Sequence, residues 1–274
     1  MKKFLFPTDF SETALGAFLY ALSLAEDMKA SVTILHVLPP VVSAHEYYEA
    51  ENELNLDEKR LDWARKQLLQ YTHRSEAKHI ETDFIIETGI PAVEISRCSK
   101  DYDLIVMGTK GARNDANKPF GSVAHGVIQQ AITPVMVIPE NNPFFPYEHI
   151  MYASEKKMET PENLGFMVHL IDKFHPRISF THINQESKQN KFVYESVEQV
   201  YENDDSSHEI GWYTFNQADV LSGLESFALN KDVDLIVMKT HKRDFLGRIF
   251  DDSLSQEMAL HTRIPLLVMK DSGV

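Results

Sequence analysis

"DLIVMGT" at 103–109 returns as "DLIVMKT" at 234–240, 131 positions later. Downstream the offset holds, with "TPVMVIP" at 133–139 answered by "IPLLVMK" at 264–270. Upstream it becomes 146: "KFLFPTDF" at 3–10 is answered by "HIMYASEK" at 149–156, and "TILHVLP" at 33–39 by "SFTHINQ" at 179–185. The repeat is a whole domain, and the second copy is shorter by about 15 residues between His182 and Asp234. A period of this length means tandem domains and not a solenoid of short units. The expected domains are 1–140 and 147–274. "PENNPFFPYE" at 139–148, with three prolines and two asparagines, reads as the linker between them.

Inside the first copy, apolar runs rich in β-branched and aromatic residues alternate with helical patterns. The expected strands are Phe4–Phe6, Val32–Val37, Thr82–Ile86, Leu104–Met107 and Val135–Ile138. One helix starts at Ser11, a natural N-cap, and carries Ala14, Phe18, Ala21, Leu22 and Ala25 on one face. A second runs through "NLDEKRLDWARKQLLQYT" with Leu61, Ala64, Leu68 and Leu69 as its buried stripe. A third opens at Pro91, which suits a first helical turn, and a fourth follows Gly121, with Val123, Ile128 and Ile132 apolar. Such alternation predicts an α/β fold, a parallel sheet with helices on both faces joined by right-handed crossovers. The copies are expected to pack as a pseudo-dimer through their last strands, Val135–Ile138 and Leu266–Met269. Pairing of whole chains into a homodimer is left open.

In an open parallel sheet, ligands collect beyond the carboxyl ends of the strands, where the strand order reverses. Pro7, Thr8 and Asp9 follow the first strand; Gly108, Thr109, Lys110 and Gly111 follow the fourth. If these strands are neighbours, both clusters face one crevice. The loop between the fourth strand and the last helix holds three glycines, at 108, 111 and 121, the last directly before Ser122. Backbone amides at a helix start bind phosphate well, and glycine lets a ligand approach the chain closely. The competing reading of any one glycine is a turn that needs positive φ. GxxxxGK[ST] is absent after the first strand, which excludes a P-loop NTPase; GxGxxG is absent there too, against a dinucleotide-binding Rossmann domain.

Gly108-x2-Gly111-x9-Gly121-Ser122 resembles the G-x2-G-x9-G-[S/T] nucleotide motif of the universal stress protein family. "FPTDFSETA" is similar to that family's first strand and turn, and "ILHVL" to its second strand. The resemblance covers the first copy throughout and the second in outline. It implies two tandem Rossmann-like, HUP-type domains, each an open five-stranded parallel sheet of order 3-2-1-4-5. It further implies an ATP-binding first domain, with AMP or ADP as variants and Mg²⁺ or Mn²⁺ carried on the phosphates. By the same resemblance Asp9, flanked by Pro7 and Thr8, and the backbone at Val37 would hold adenine. Met107, Gly108 and Thr109 would pass the ribose, and Gly111, Gly121, Ser122, Val123 and Ala124 would meet the phosphates. Ala124 has no hydroxyl for the extra phosphate contact that some relatives could make there. The family is generally regulatory, with slow ATP hydrolysis at most.

The second copy keeps the loop length but not the glycines: Lys239, Lys242 and Asp252 replace Gly108, Gly111 and Gly121, Ser253 answers Ser122, and Glu155 replaces Asp9. Asp252 is suited to capping its own helix and would repel a phosphate. ATP is therefore expected in the first domain only, the second serving packing or regulation with an unidentified protein partner.

The chain has 274 residues and a formal charge of -14, which argues against nucleic acid as a partner. No run approaches a membrane span or a signal peptide, and a single cysteine, Cys98, fits a reducing compartment; the expected location is the cytoplasm. Cys98 reads as a small buried side chain, and His36 and His182, at matching places, as shared packing rather than metal ligands. "HEYYEAENELNLDEKR" (45–60), "VYENDDSSHE" (200–209) and "KTHKRDFLGR" (239–248) read as solvated segments. No Ser-His-Asp or Cys-His set is placed by motif. The remaining classes are a nucleotide-binding regulator, an interaction scaffold and a slow ATPase.

Overall fold

The computed structural model describes residues 1–40, 50–109, 121–154, 164–184, 210–216, 220–240 and 264–270. The first unit runs β1 (Lys2–Pro7), α1 (Glu12–Met28), β2 (Ala30–Leu38), α2 (Ala50–Thr72), β3 (Thr82–Thr88), α3 (Pro91–Cys98), β4 (Leu104–Gly108), α4 (Ser122–Gln130) and β5 (Val135–Ile138). The second contributes β6 (His149–Ser154), α5 (Met167–Phe174), β7 (Arg177–Asn184), β8 (Ile210–Asn216), α6 (Val220–Asn230), β9 (Leu235–Thr240) and β10 (Leu266–Lys270). These strands form one sheet of order β3-β2-β1-β4-β5-β10-β9-β6-β7-β8. Each unit thus has the expected order 3-2-1-4-5 and is parallel within itself.

The repeat is visible in the strand register. Phe4 faces Val32 and Leu104 in the first unit; Ile150 faces Ile178 and Leu235 in the second. The offsets of 146 and 131 read from the sequence are therefore the offsets of the hydrogen-bonded ladders among the first, second and fourth strands of each unit. The shortening lies in the crossover from second to third strand, residues 39–81 in the first unit against 185–209 in the second.

The units join edge to edge through β5 and β10, which run antiparallel with Val135 opposite Val268, Met136 opposite Leu267, and Val137 opposite Leu266. Position 266 is the counterpart of 135 and 268 of 137. The pairing is therefore self-complementary, with a local pseudo-twofold axis at the Met136–Leu267 pair.

Strands covered on both faces read as nearly continuous apolar runs. Alternate residues supply two layers, and each layer crosses the join. One holds Phe4, Phe6, Val106 and Met136 with Tyr152, Val237 and Leu267, under α1, α2 and α5. The other holds Leu5, Ile105 and Val137 with Met151, Ile236 and Val268, under α3, α4 and α6. The segment 139–148, expected as a linker, enters this core. Tyr147 is buried and shares a 2.6 Å hydrogen bond with Tyr20 of α1. Its ring meets Phe144 and Phe174 edge-on.

Local signals explain the helix ends. The Ser11 side chain accepts from the Ala14 amide at 3.1 Å, and Lys29 closes α1 in the left-handed conformation. Pro91 stands at the first turn of α3. Two expectations need correction, the buried stripe of α2 and the burial of Cys98. Leu61 and Leu69 flank the buried stripe of α2 and stay partly exposed; Ala64, Leu68 and Tyr71 face the sheet. Ile132 is 67 % exposed because α4 ends at Gln130, its inner face being Ala124, Val127 and Ile128. Cys98 is half-buried, not enclosed.

Candidate functional site

Helices α1 and α2 lie on one face of the first unit's sheet and α3 and α4 on the other, so the winding reverses between β1 and β4. These strands are hydrogen-bonded neighbours. The adjacency that the sequence left conditional is present, so the segments that follow β1 and β4 start side by side at the strand ends where an open sheet of this kind takes its ligands.

On the β1 side, the chain leaves the strand at Pro7 and turns sharply into α1. The Thr8 amide donates to the Leu35 carbonyl at 2.9 Å, holding the strand end against β2. The Thr8 hydroxyl accepts from the Phe10 amide at 3.0 Å, and the Asp9 carboxylate from the Ser11 amide at 3.1 Å. Phe10 is in the left-handed region, φ 64°, an uncommon conformation for a bulky residue. This turn leaves Asp9 exposed at the rim. Beside it, Val37 lies two residues beyond Leu35, the last β2 position opposite β1. Residues two apart on a strand direct their backbone groups to the same side. The Val37 amide and carbonyl therefore point past the end of β1.

On the β4 side, Met107 is buried in the layer under α3 and α4, and Gly108 ends the strand opposite Ile138. The Thr109 amide donates to the Ile138 carbonyl at 3.0 Å. The Thr109 carbonyl accepts from the Gly121 amide at 2.8 Å, so the chain that departs at 109 is back beside the strand end at 121. Gly121 is the N-cap of α4, extended at φ -65° and ψ 158°, with no side chain to cap the helix. The amides of Ser122, Val123 and Ala124 form the first turn, which has no intrahelical acceptors, and His125 makes the first helical bond, to Gly121. A helix start of this kind is an anion site by both its donors and its dipole. Gly126 lets α4 approach α3: a Cβ there would stand 2.6 Å from the Ala92 Cβ.

The structure thus places Pro7, Thr8, Asp9, Val37, Met107, Gly108 and Thr109 at or just beyond the carboxyl ends of β1, β2 and β4, with Gly121, Ser122, Val123 and Ala124 returning there through the Gly121–Thr109 bond. Gly111 lies outside the described residues. In the second unit, Lys239 occupies the place of Gly108, facing Met269 as Gly108 faces Ile138, and is only 7 % exposed. A long side chain is packed where the first unit has none. Glu155, Lys242, Asp252 and Ser253 lie outside the described residues. Because the units join antiparallel, the two sets of strand ends lie at opposite ends of the sheet.

Sequence reasoning missed the part played by His36. It is buried, its Nδ1–H donates to the Thr8 carbonyl at 2.8 Å, and its ring lies 4.4 Å from that of Phe10. Burial lowers its pKa, opposed by the Thr8 carbonyl and by Asp9, with Arg60 adding to the lowering. Its counterpart His182 holds the matching register on β7, opposite Ser154. Burial pushes the Cys98 thiol upward, away from a reactive thiolate. Among the described residues no three His, Cys, Asp or Glu side chains gather as a metal site, and no helix is long and apolar enough to cross a membrane.

The model of the universal stress protein family matches residues 1–139 and 220–270, more than half of the chain. The chain belongs to the universal stress protein family. It is 30% identical over 158 residues to universal stress protein MJ0577 of Methanocaldococcus jannaschii, covering 52% of this chain and 96% of that one. It is 28% identical over 145 residues to universal stress protein YxiE of Bacillus subtilis, covering 48% of this chain and 92% of the other. Each of these universal stress proteins matches about half of this one, as expected of a tandem chain. A universal stress protein from Archaeoglobus fulgidus aligns over 98% of this chain and 96% of its own with a TM-score of 0.70 at 15% identity. The universal stress protein fold therefore extends through both units.

Proposed function

We propose that this universal stress protein is a cytoplasmic regulator that binds ATP, or its di- or monophosphate, in the crevice of domain 1–140. Domain 147–274 serves packing and regulation. Asp9 and the Val37 backbone meet the adenine, Met107 to Thr109 pass the ribose, and the Gly121 to Ala124 helix start holds the phosphates with Gly111. Mg²⁺ or Mn²⁺ rides on those phosphates. The single observation that carries the reading is the 2.8 Å bond from the Gly121 amide to the Thr109 carbonyl. It sets an uncapped helix start beside the glycine-ended strand, a few residues across the sheet from Asp9.

Isothermal titration with MgATP tests it: one site per chain is expected, and Gly121→Asp, which copies position 252, should abolish binding. Two equivalent sites would refute the asymmetry, and unchanged affinity in the variant would refute the assignment of the loop.

A further inference from the structure

We propose that His36 is the positioning residue for base recognition: its Nδ1–H fixes the Thr8 carbonyl and thereby the turn that presents Asp9. The inference rests on the nucleotide reading and adds to it the residue that orients the adenine end. A carbonyl can only accept, so the 2.8 Å contact requires the proton on Nδ1. Thr8 is then held at three points. Its amide is bound by Leu35, its carbonyl by His36, and its hydroxyl lies 3.5 Å from the Tyr71 hydroxyl while accepting the Phe10 amide. Phe10, in its left-handed conformation, is gripped by rings on three sides, with His36 at 4.4 Å, Trp63 at 5.3 Å and Tyr71 at 5.9 Å. A strained residue persists where its surroundings over-determine it. Asp9 sits between the two clamped residues, so its backbone is set from both sides. Among the described residues, the charged groups acting on the imidazole are Asp9 and Arg60, the latter anchored on the Pro39 carbonyl at 2.6 Å.

Two measurements on the full chain test this. Nitrogen NMR of the histidine rings at neutral pH should show His36 as the Nδ1–H tautomer, which is the minor form of free histidine. Finding the Nε2–H tautomer would overturn the clamp whether or not nucleotide binds. Titrations then compare His36→Phe, which keeps a ring but loses the donor, with His36→Asn, whose amide can donate from nearly the same place. We expect His36→Phe to weaken ATP about tenfold, the scale of one lost hydrogen bond to a positioned group. Discrimination between ATP and GTP should also shrink, binding of inorganic tripolyphosphate should be unchanged, and His36→Asn should restore most of the loss. Equal loss of ATP and tripolyphosphate, or no rescue by Asn, would overturn the positioning role. Wild-type protein that binds tripolyphosphate but not ATP, or neither, refutes the nucleotide reading and the adenine role with it, while the tautomer still reports on the clamp.

Discussion

Replacing Gly126 with alanine puts two known effects in competition. Within a helix, alanine is better than glycine by about 0.8–1.0 kcal/mol, so an exposed site would gain stability. Gly126 instead lies on the α4 face that meets α3, where an added Cβ would stand 2.6 Å from the Ala92 Cβ. Carbon atoms in ordinary contact are about 3.5–4.0 Å apart, so one helix must move by roughly 1 Å. Overpacking of this kind costs about 1–3 kcal/mol. The clash therefore outweighs the propensity gain, for a net loss of about 1 kcal/mol. The same displacement shifts the Gly121–Ala124 helix start, so ATP affinity should fall as well. Urea unfolding of Gly126→Ala, Ala92→Gly and the double variant separates the causes. We expect a coupling of about 1–3 kcal/mol, because the glycine at 92 removes the atom that the new methyl strikes. Additive single effects, or a Gly126→Ala protein more stable than the wild type, would show that α3 and α4 do not meet as described.

The buried Tyr20–Tyr147 hydroxyl pair gives a second test: Tyr147→Phe leaves the Tyr20 hydroxyl without its partner and should cost about 1–3 kcal/mol, and the double Phe variant less than the sum of the two singles, measured by urea unfolding. The His36 pKa is lowered in the folded protein, burial being the main cause. The folded state then binds fewer protons, so stability is fully present above the unfolded pKa of about 6.5 and falls as pH drops through the folded pKa. Urea midpoints from about pH 7 to about pH 5 should therefore fall less steeply in His36→Asn than in the wild type.

Much of this was legible in the residues because the chain carries its own control. The offsets between copies are the offsets of the ladders that join the first, second and fourth strands, since a register slip of one residue would exchange the two apolar layers. The join through β5 and β10 followed from strands that end each copy and carry apolar residues on both faces. The α2 stripe was misread because leucines at 61 and 69 outweighed Tyr71, whose inward turn depends on contacts with Phe10, Phe18 and Thr8. Tyr147 was hidden by its prolines, which mark a turn without saying whether a neighbouring ring is buried. For the candidate site, the places of Asp9, Gly108 and Gly121 at the end of β1, the end of β4 and the start of α4 were readable from spacing. The direction of the Val37 backbone and the His36 clamp were not, as both depend on where β1 stops relative to β2.

The pseudo-twofold axis carries a consequence for the first unit when it is separated from the second. Cutting after Glu140 would remove β10 and leave β5 as an open edge whose Val135, Met136, Val137 and Ile138 are all buried in the intact chain. An unprotected apolar edge seeks another strand. In the intact chain β5 already pairs with its own counterpart, Val135 opposite the equivalent of Val137 and Met136 opposite the equivalent of itself. A second copy of the fragment can therefore take the place of β10 without a change of register, Met136 facing Met136. Fragment 1–140 should run as a dimer by light scattering, and Met136→Lys, which sets two like charges opposite each other at the axis, should make it monomeric or insoluble. A fragment that is monomeric and soluble with its wild-type β5 would mean that the edge is protected in some other way, and that β10 covers it without being needed there.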